Sequence, residues 1–171
     1  MTTAPVPEQT LADFANMSAA LTGFQANVLR PFLDPVNLSG LYYDFAVSQV
    51  GQPAMDALLG AYRAIATQPV QIIADTLLET ASPKPSNQAQ ICQSIVLVWY
   101  LGSWYKPAYQ NNGLLGAVVQ VVSSQAYTNG LVWKAAQAHP MGFSAFTFGY
   151  WSQPPASLAT FGVNVSSGGG Q

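Results

Sequence analysis

Along the first part of the chain, apolar residues recur every three or four positions. Leu11, Phe14, Met17, Leu21, Phe24 and Val28 fall on one stripe, because 3.6 residues per turn bring such positions onto one face of a helix. Thr10 offers an N-cap hydroxyl with Asp13 three residues on, close to a capping box and favourable to the helix dipole. Pro31 stops this helix, and "PFLDPVN" reads as a turn-rich link. A second helix is predicted over "LSGLYYDFAVSQV", with Ser39 as its cap and Gly51 as its stop. A third runs from Pro53, a good first-turn residue, through Leu58, Tyr62 and Ile65. A fourth runs from Pro69 to Ala81.

"SPKPSNQ" (Ser82 to Gln88) breaks the pattern with two prolines and two turn formers. The fifth helix starts near Asn87 or Gln88 and places Ile91, Ile95, Val98 and Gly102 on one side. Trp99, Trp104 and Tyr105 sit at its end, and Pro107 terminates it. After the turn at "NNG", "LLGAVVQVVSSQAY" fits a helix or a strand. "LVWKAAQA" reads as one or two helical turns ended by Pro140, and beyond it the chain has no period. The pattern predicts a mainly α fold. A single small helical domain spans 1–165 with an irregular, aromatic-rich C-terminal region, and a flexible tail spans 166–171.

Composition changes this picture in one respect. Only 7% of the 171 residues are charged, against about 25% in an ordinary soluble domain. Ten of the twelve charges lie before position 85, leaving Lys106 and Lys134 as the only charges in the rest of the chain. Tyr127 to Pro155 holds the single histidine, His139, with two of the four tryptophans. Charge depletion with aromatic enrichment marks the core of an interface, so the C-terminal half is expected to be partly covered by another protein.

Other coverings and chemistries fit less well. The apolar runs "IVLVWYLG" and "GLLGAVVQVV" fall short of the ~20 residues of a membrane-spanning helix. A net charge of −2 with scattered cations argues against nucleic acid. Lone Cys92 forms no internal disulfide and reads as a buried, inert thiol. "MTTAPVPEQT" has neither the charged start nor the apolar segment of a signal peptide, which predicts a cytosolic chain or a mature form. No glycine-rich phosphate loop or zinc-ligand set is present. A Ser-His-Asp arrangement would need His139 with a distant aspartate and lacks a nucleophile elbow. The simpler role for His139, ahead of Pro140, is a hydrogen bond to backbone.

Trp99, Tyr100, Trp104 and Tyr105 crowd within seven residues. On one helix their angular spread is too wide for all to point inward, so one or two are expected to face a partner, where aromatics act as hot spots.

Two stretches carry a resemblance. "VLVWYLGSWY" (Val96 to Tyr105) ends an aliphatic helix in a Trp-Tyr-x-Gly pattern at Trp99, Tyr100 and Gly102. "AHPMGFSAFTFGYWSQPP" (Ala138 to Pro155) closes on Gly149, Tyr150, Trp151, Pro154 and Pro155. Together they resemble the small subunits of membrane-bound FAD-dependent sugar and polyol dehydrogenases, the fructose and sorbitol dehydrogenases among them. The resemblance implies a non-catalytic, chaperone-like subunit in the periplasm, with no cofactor of its own. Its partner is a large FAD-binding dehydrogenase subunit that oxidises the sugar, and a cytochrome c subunit carries the electrons on. Membrane association is then indirect, through those partners. The family's twin-arginine leader is absent from this sequence. On this reading Trp99, Tyr100, Trp104, Tyr105, Trp133, His139, Phe143, Tyr150 and Trp151 are the candidate contact residues. Two alternatives stand beside it: a helical enzyme using His139 as acid or base, and a module whose aromatics bind a lipid or sugar.

Overall fold

The computed structural model describes residues 6–113, 119–140, 157, 162 and 163. The chain is mainly helical. Its centre is α1 (Glu8–Thr22), which packs against α3 (Leu38–Val50), α4 (Gln52–Ile65), α5 (Val70–Leu78) and α6 (Asn87–Leu101). A helix surrounded in this way must be apolar over more than one stripe. Phe14, Ala15, Met17, Ala20 and Leu21 are accordingly all buried.

The helix ends follow local chemistry. Pro7 rather than Thr10 opens α1, and its carbonyl accepts from the Thr10 and Leu11 N–H groups at 3.0 and 3.2 Å. Gly23 closes it at φ 79°, donating its N–H to the Ala19 carbonyl. Phe24 and Val28 therefore lie beyond α1, the latter in the single turn α2 (Ala26–Leu29). Asn37, not Ser39, caps α3, since its side-chain oxygen accepts from the Gly40 N–H at 3.2 Å. Ser39 is instead buried and donates to the Leu29 carbonyl at 3.0 Å, tying α3 to α2. α5 stops at Leu78, short of Ala81, because Glu79 adopts a φ of 51°. Ser86 caps α6 by accepting from the Ala89 N–H at 3.2 Å.

Gly102 ends α6 at φ 65°, five residues before Pro107. The chain then forms β1 (Ser103–Tyr105), paired antiparallel with β2 (Val119–Val121) so that Trp104 faces Gln120 across the ladder. In its described residues, the stretch whose sequence fits helix or strand holds both: β2, then α7 (Ser124–Thr128). α8 (Leu131–Ala135) follows and packs on α6. Further on, Phe24 and Val163 form an isolated antiparallel bridge, and the Gln25 N–H donates to the Gly162 carbonyl at 2.9 Å.

The core is one cluster built around aromatic rings. Trp99 meets Tyr42 edge-on at 4.7 Å and stacks on Phe14 at 6.5 Å, while Phe14 meets Tyr43 edge-on at 5.6 Å. Met17, Met55, Leu58, Ile95 and Val98 fill the space around them. Each large side chain removed from water in this way contributes roughly 1.5–3 kcal/mol. The tail at 166–171 lies outside the described residues. No helix among the described residues is long and apolar enough to cross a membrane.

Candidate functional site

The structure divides the four clustered aromatics. Trp99 and Trp104 are each only 1% exposed, so their assignment to a contact surface is corrected: both belong to the core. The physical reason is Gly102. Its left-handed conformation ends the helix between the two tryptophans and turns β1 back, so Trp104 points inward against Phe45 at 6.2 Å between ring centroids. Neither indole Nε1 finds a hydrogen-bond partner among the described residues, although both are buried. An unsatisfied donor of this kind costs about 1–3 kcal/mol.

Tyr100 and Tyr105 are half-buried. The Tyr100 hydroxyl donates to the Thr22 carbonyl at 2.9 Å, and its ring meets Phe24 edge-on at 6.1 Å. One edge of Tyr100 is thus spent joining α6 to the end of α1. Tyr105 closes β1 opposite Val119.

Trp133 on α8 is also half-buried. Its Nε1 donates to the Tyr127 carbonyl at 2.8 Å, and the two rings meet edge-on at 5.5 Å. The turn between α7 and α8 seats against the end of α6, since a β-carbon on Gly130 would come 2.7 Å from the Tyr100 carbonyl oxygen. Trp133 therefore belongs to an element held close to Tyr100.

His139 is half-buried, with Nδ1 3.1 Å from the Pro140 carbonyl oxygen. A carbonyl only accepts, so Nδ1 is the protonated nitrogen in this contact. That geometry is the backbone hydrogen bond expected of a structural histidine. Phe143, Tyr150 and Trp151 lie outside the described residues.

Features that periodicity does not show are found elsewhere. Phe32 is fully exposed and Leu33 is 81% exposed. They project from the link between α2 and α3, which is held in shape by Asp34: its Oδ1 accepts from the Val36 and Asn37 N–H groups at 3.1 and 2.6 Å. The loop thus presents two adjacent large apolar side chains to water. The sequence signal was present as "PFLDP", a Phe-Leu pair between prolines. Val70, Ile72 and Val121 are further exposed apolar side chains, each about half exposed or more.

Among the described residues no group of three or more His, Cys, Asp or Glu side chains is gathered as a metal site would require. The buried carboxylate of Asp13 is held by Arg63 Nε at 2.6 Å and Gln9 Nε2 at 2.8 Å, an arrangement that fixes α4 to α1. Comparison with protein-family models, with curated proteins and with solved structures finds no match.

Proposed function

We propose that this chain is a non-catalytic small subunit that binds and stabilises the FAD-containing catalytic subunit of a membrane-associated sugar or polyol dehydrogenase. The complex would sit in the periplasm, with a cytochrome c subunit accepting the electrons, and this chain would assist maturation and export of the large subunit. The observation that carries the reading is the uneven chain: a helical core joined to a half with two charges, whose segments Val96 to Tyr105 and Ala138 to Pro155 hold the resemblance. The exposed Phe32 and Leu33 pair supports it, because adjacent exposed apolar side chains are most useful where a second protein offers a socket.

Trp99 and Gly102 act in this reading through the fold, with Trp99 filling the core and Gly102 setting the turn. The accessible candidates are Tyr105, Trp133, His139, Phe32 and Leu33, all partly or wholly exposed. The test is capture: the tagged chain, co-expressed with a large FAD-binding dehydrogenase subunit of the same source, retains that subunit through purification. Failure to retain it while this chain remains folded contradicts the proposal.

A further inference from the structure

A cavity of about 230 Å³ opens between the α2–α3 link, α6 and the α7–α8 turn. Its walls include Leu29, Leu38, Leu131 and the buried indole of Trp99, so its body is apolar. That volume is several times the ~30 Å³ of one water and lies just under the ~300–1,000 Å³ of pockets for drug-sized molecules. It suits an occupant of a few heavy atoms.

Two charged side chains line the cavity, Lys134 and Asp34. They come from positions a hundred residues apart, and they form no ion pair with each other. The Lys134 ammonium has no hydrogen-bond or ion-pair partner among the described residues. Burial pushes its ammonium below the usual lysine range, as expected when a cation loses water without gaining a partner. Asp34 is fixed in place by the Val36 and Asn37 N–H groups, both of which bond to Oδ1. Its other oxygen, Oδ2, receives no hydrogen bond among the described residues. Asn129 adds a further polar group to the wall.

We infer that this cavity is a binding site for a small zwitterion with an apolar body, the class to which free apolar α-amino acids belong. A ligand carboxylate meets Lys134, a ligand ammonium meets Asp34, and the aliphatic part lies on Trp99, Leu29 and Leu131. A simple anion would satisfy Lys134 but would face the Asp34 carboxylate, and a simple cation would meet the reverse difficulty. Both charges are complemented only by a molecule carrying both signs. The inference stands apart from the subunit reading and uses none of the contact residues proposed there.

The test is calorimetric titration of the full-length chain with L-leucine, with 4-methylpentanoate and 3-methylbutylamine as probes carrying one charge each. The expected result is one saturable site for leucine, with each single-charge probe at least about tenfold weaker. Lys134→Met and Asp34→Asn should each weaken leucine by about tenfold or more. Asparagine keeps the acceptor that holds the loop, and circular dichroism checks that both variants are folded. The wild-type titration is decisive even if a variant fails to fold. Absence of saturable leucine binding up to about 50 mM, weaker than any useful affinity, overturns the inference. So does equal binding of leucine and 4-methylpentanoate, or unchanged binding in both folded variants.

Discussion

Gly102 lies so close to Ala126 that a β-carbon at position 102 would come 2.5 Å from the carbonyl carbon and oxygen of Ala126. The same glycine holds a φ of 65°, where any other L-residue is strained. The close approach lets α7 dock on the end of α6, and the Tyr42 hydroxyl completes the joint by donating to the Ala126 carbonyl at 3.3 Å. Gly102→Ala should therefore destabilise the protein by about 2–4 kcal/mol, combining backbone strain with a clash against backbone that has little room to move. Gly60→Ala is the control, because nothing lies within 4 Å of its position and it sits in the interior of α4. That change should be neutral or stabilising by up to about 1 kcal/mol. Urea denaturation of both variants checks the pair.

Asp13 and Arg63 form a joint between α1 and α4, with the carboxylate buried and the guanidinium about half exposed. Removing only the cation leaves a buried carboxylate with Gln9 as its remaining hydrogen-bond donor. Arg63→Met should cost about 1–3 kcal/mol. Asp13→Asn in the Arg63→Met background should then cost less than Asp13→Asn alone, giving a coupling of about 0.5–1.5 kcal/mol in a double-mutant cycle. Strict additivity would mean that the pair contributes nothing beyond its separate parts.

Burial, reinforced by the charge of Glu79, pushes the Cys92 thiol from 9.0 up to about 12. The sign of the pH effect follows directly. Between pH 9 and 12 the unfolded chain has released this proton while the native state retains it, so stability falls as pH rises through that window. Burial pushes the Tyr42 hydroxyl in the same direction, which adds to the alkaline loss. Cys92→Ala should flatten the decline without abolishing it. At pH 8 the native thiol should resist iodoacetamide, and alkylation should follow the denaturation curve. Rapid alkylation of the folded protein would place the thiol at the surface.

Phe32 and Leu33 make no visible contribution to the core, since Phe32 is fully exposed and Leu33 nearly so. Replacing both with serine should change stability by less than about 0.5 kcal/mol. If they anchor a partner, the same change should weaken association by at least about tenfold. Side-by-side thermal melts and capture assays separate the two effects. A large loss of stability would mean that the loop supports the fold itself.

Much of this architecture was legible because the chain punctuates its helices with residues of fixed conformational meaning. Gly51, Pro53, Pro69 and Ser86 stand at or beside the predicted ends, and the Phe14, Met17 and Leu21 stripe lies in the core as its spacing required. The tryptophan pair was misread because a helical wheel assumes one continuous helix. With Gly102 ending α6, Trp99 and Trp104 belong to different elements and both turn inward. Spacing points to Ser39 as the cap of α3, and only the fold reveals that the Leu29 carbonyl claims the serine while Asn37 caps the helix. That Asp34 and Lys134 line one cavity is a product of tertiary packing, and no local pattern announces a shared wall across that span of chain. The exposure of Phe32 was hidden for the same reason, because an apolar pair in a loop is as compatible with burial as with display.

The proposal that this chain holds a flavoprotein subunit is tested most directly by the flavin content of that partner. The large FAD-binding subunit is expressed with and without this chain, and its soluble yield, bound FAD and molecular mass in solution are compared. The expected result is a large subunit that is soluble and flavin-loaded only in the presence of this chain, the two migrating as one complex. A chain that runs alone as a well-behaved monomer, while the flavoprotein folds and binds FAD equally well without it, would contradict the proposed role.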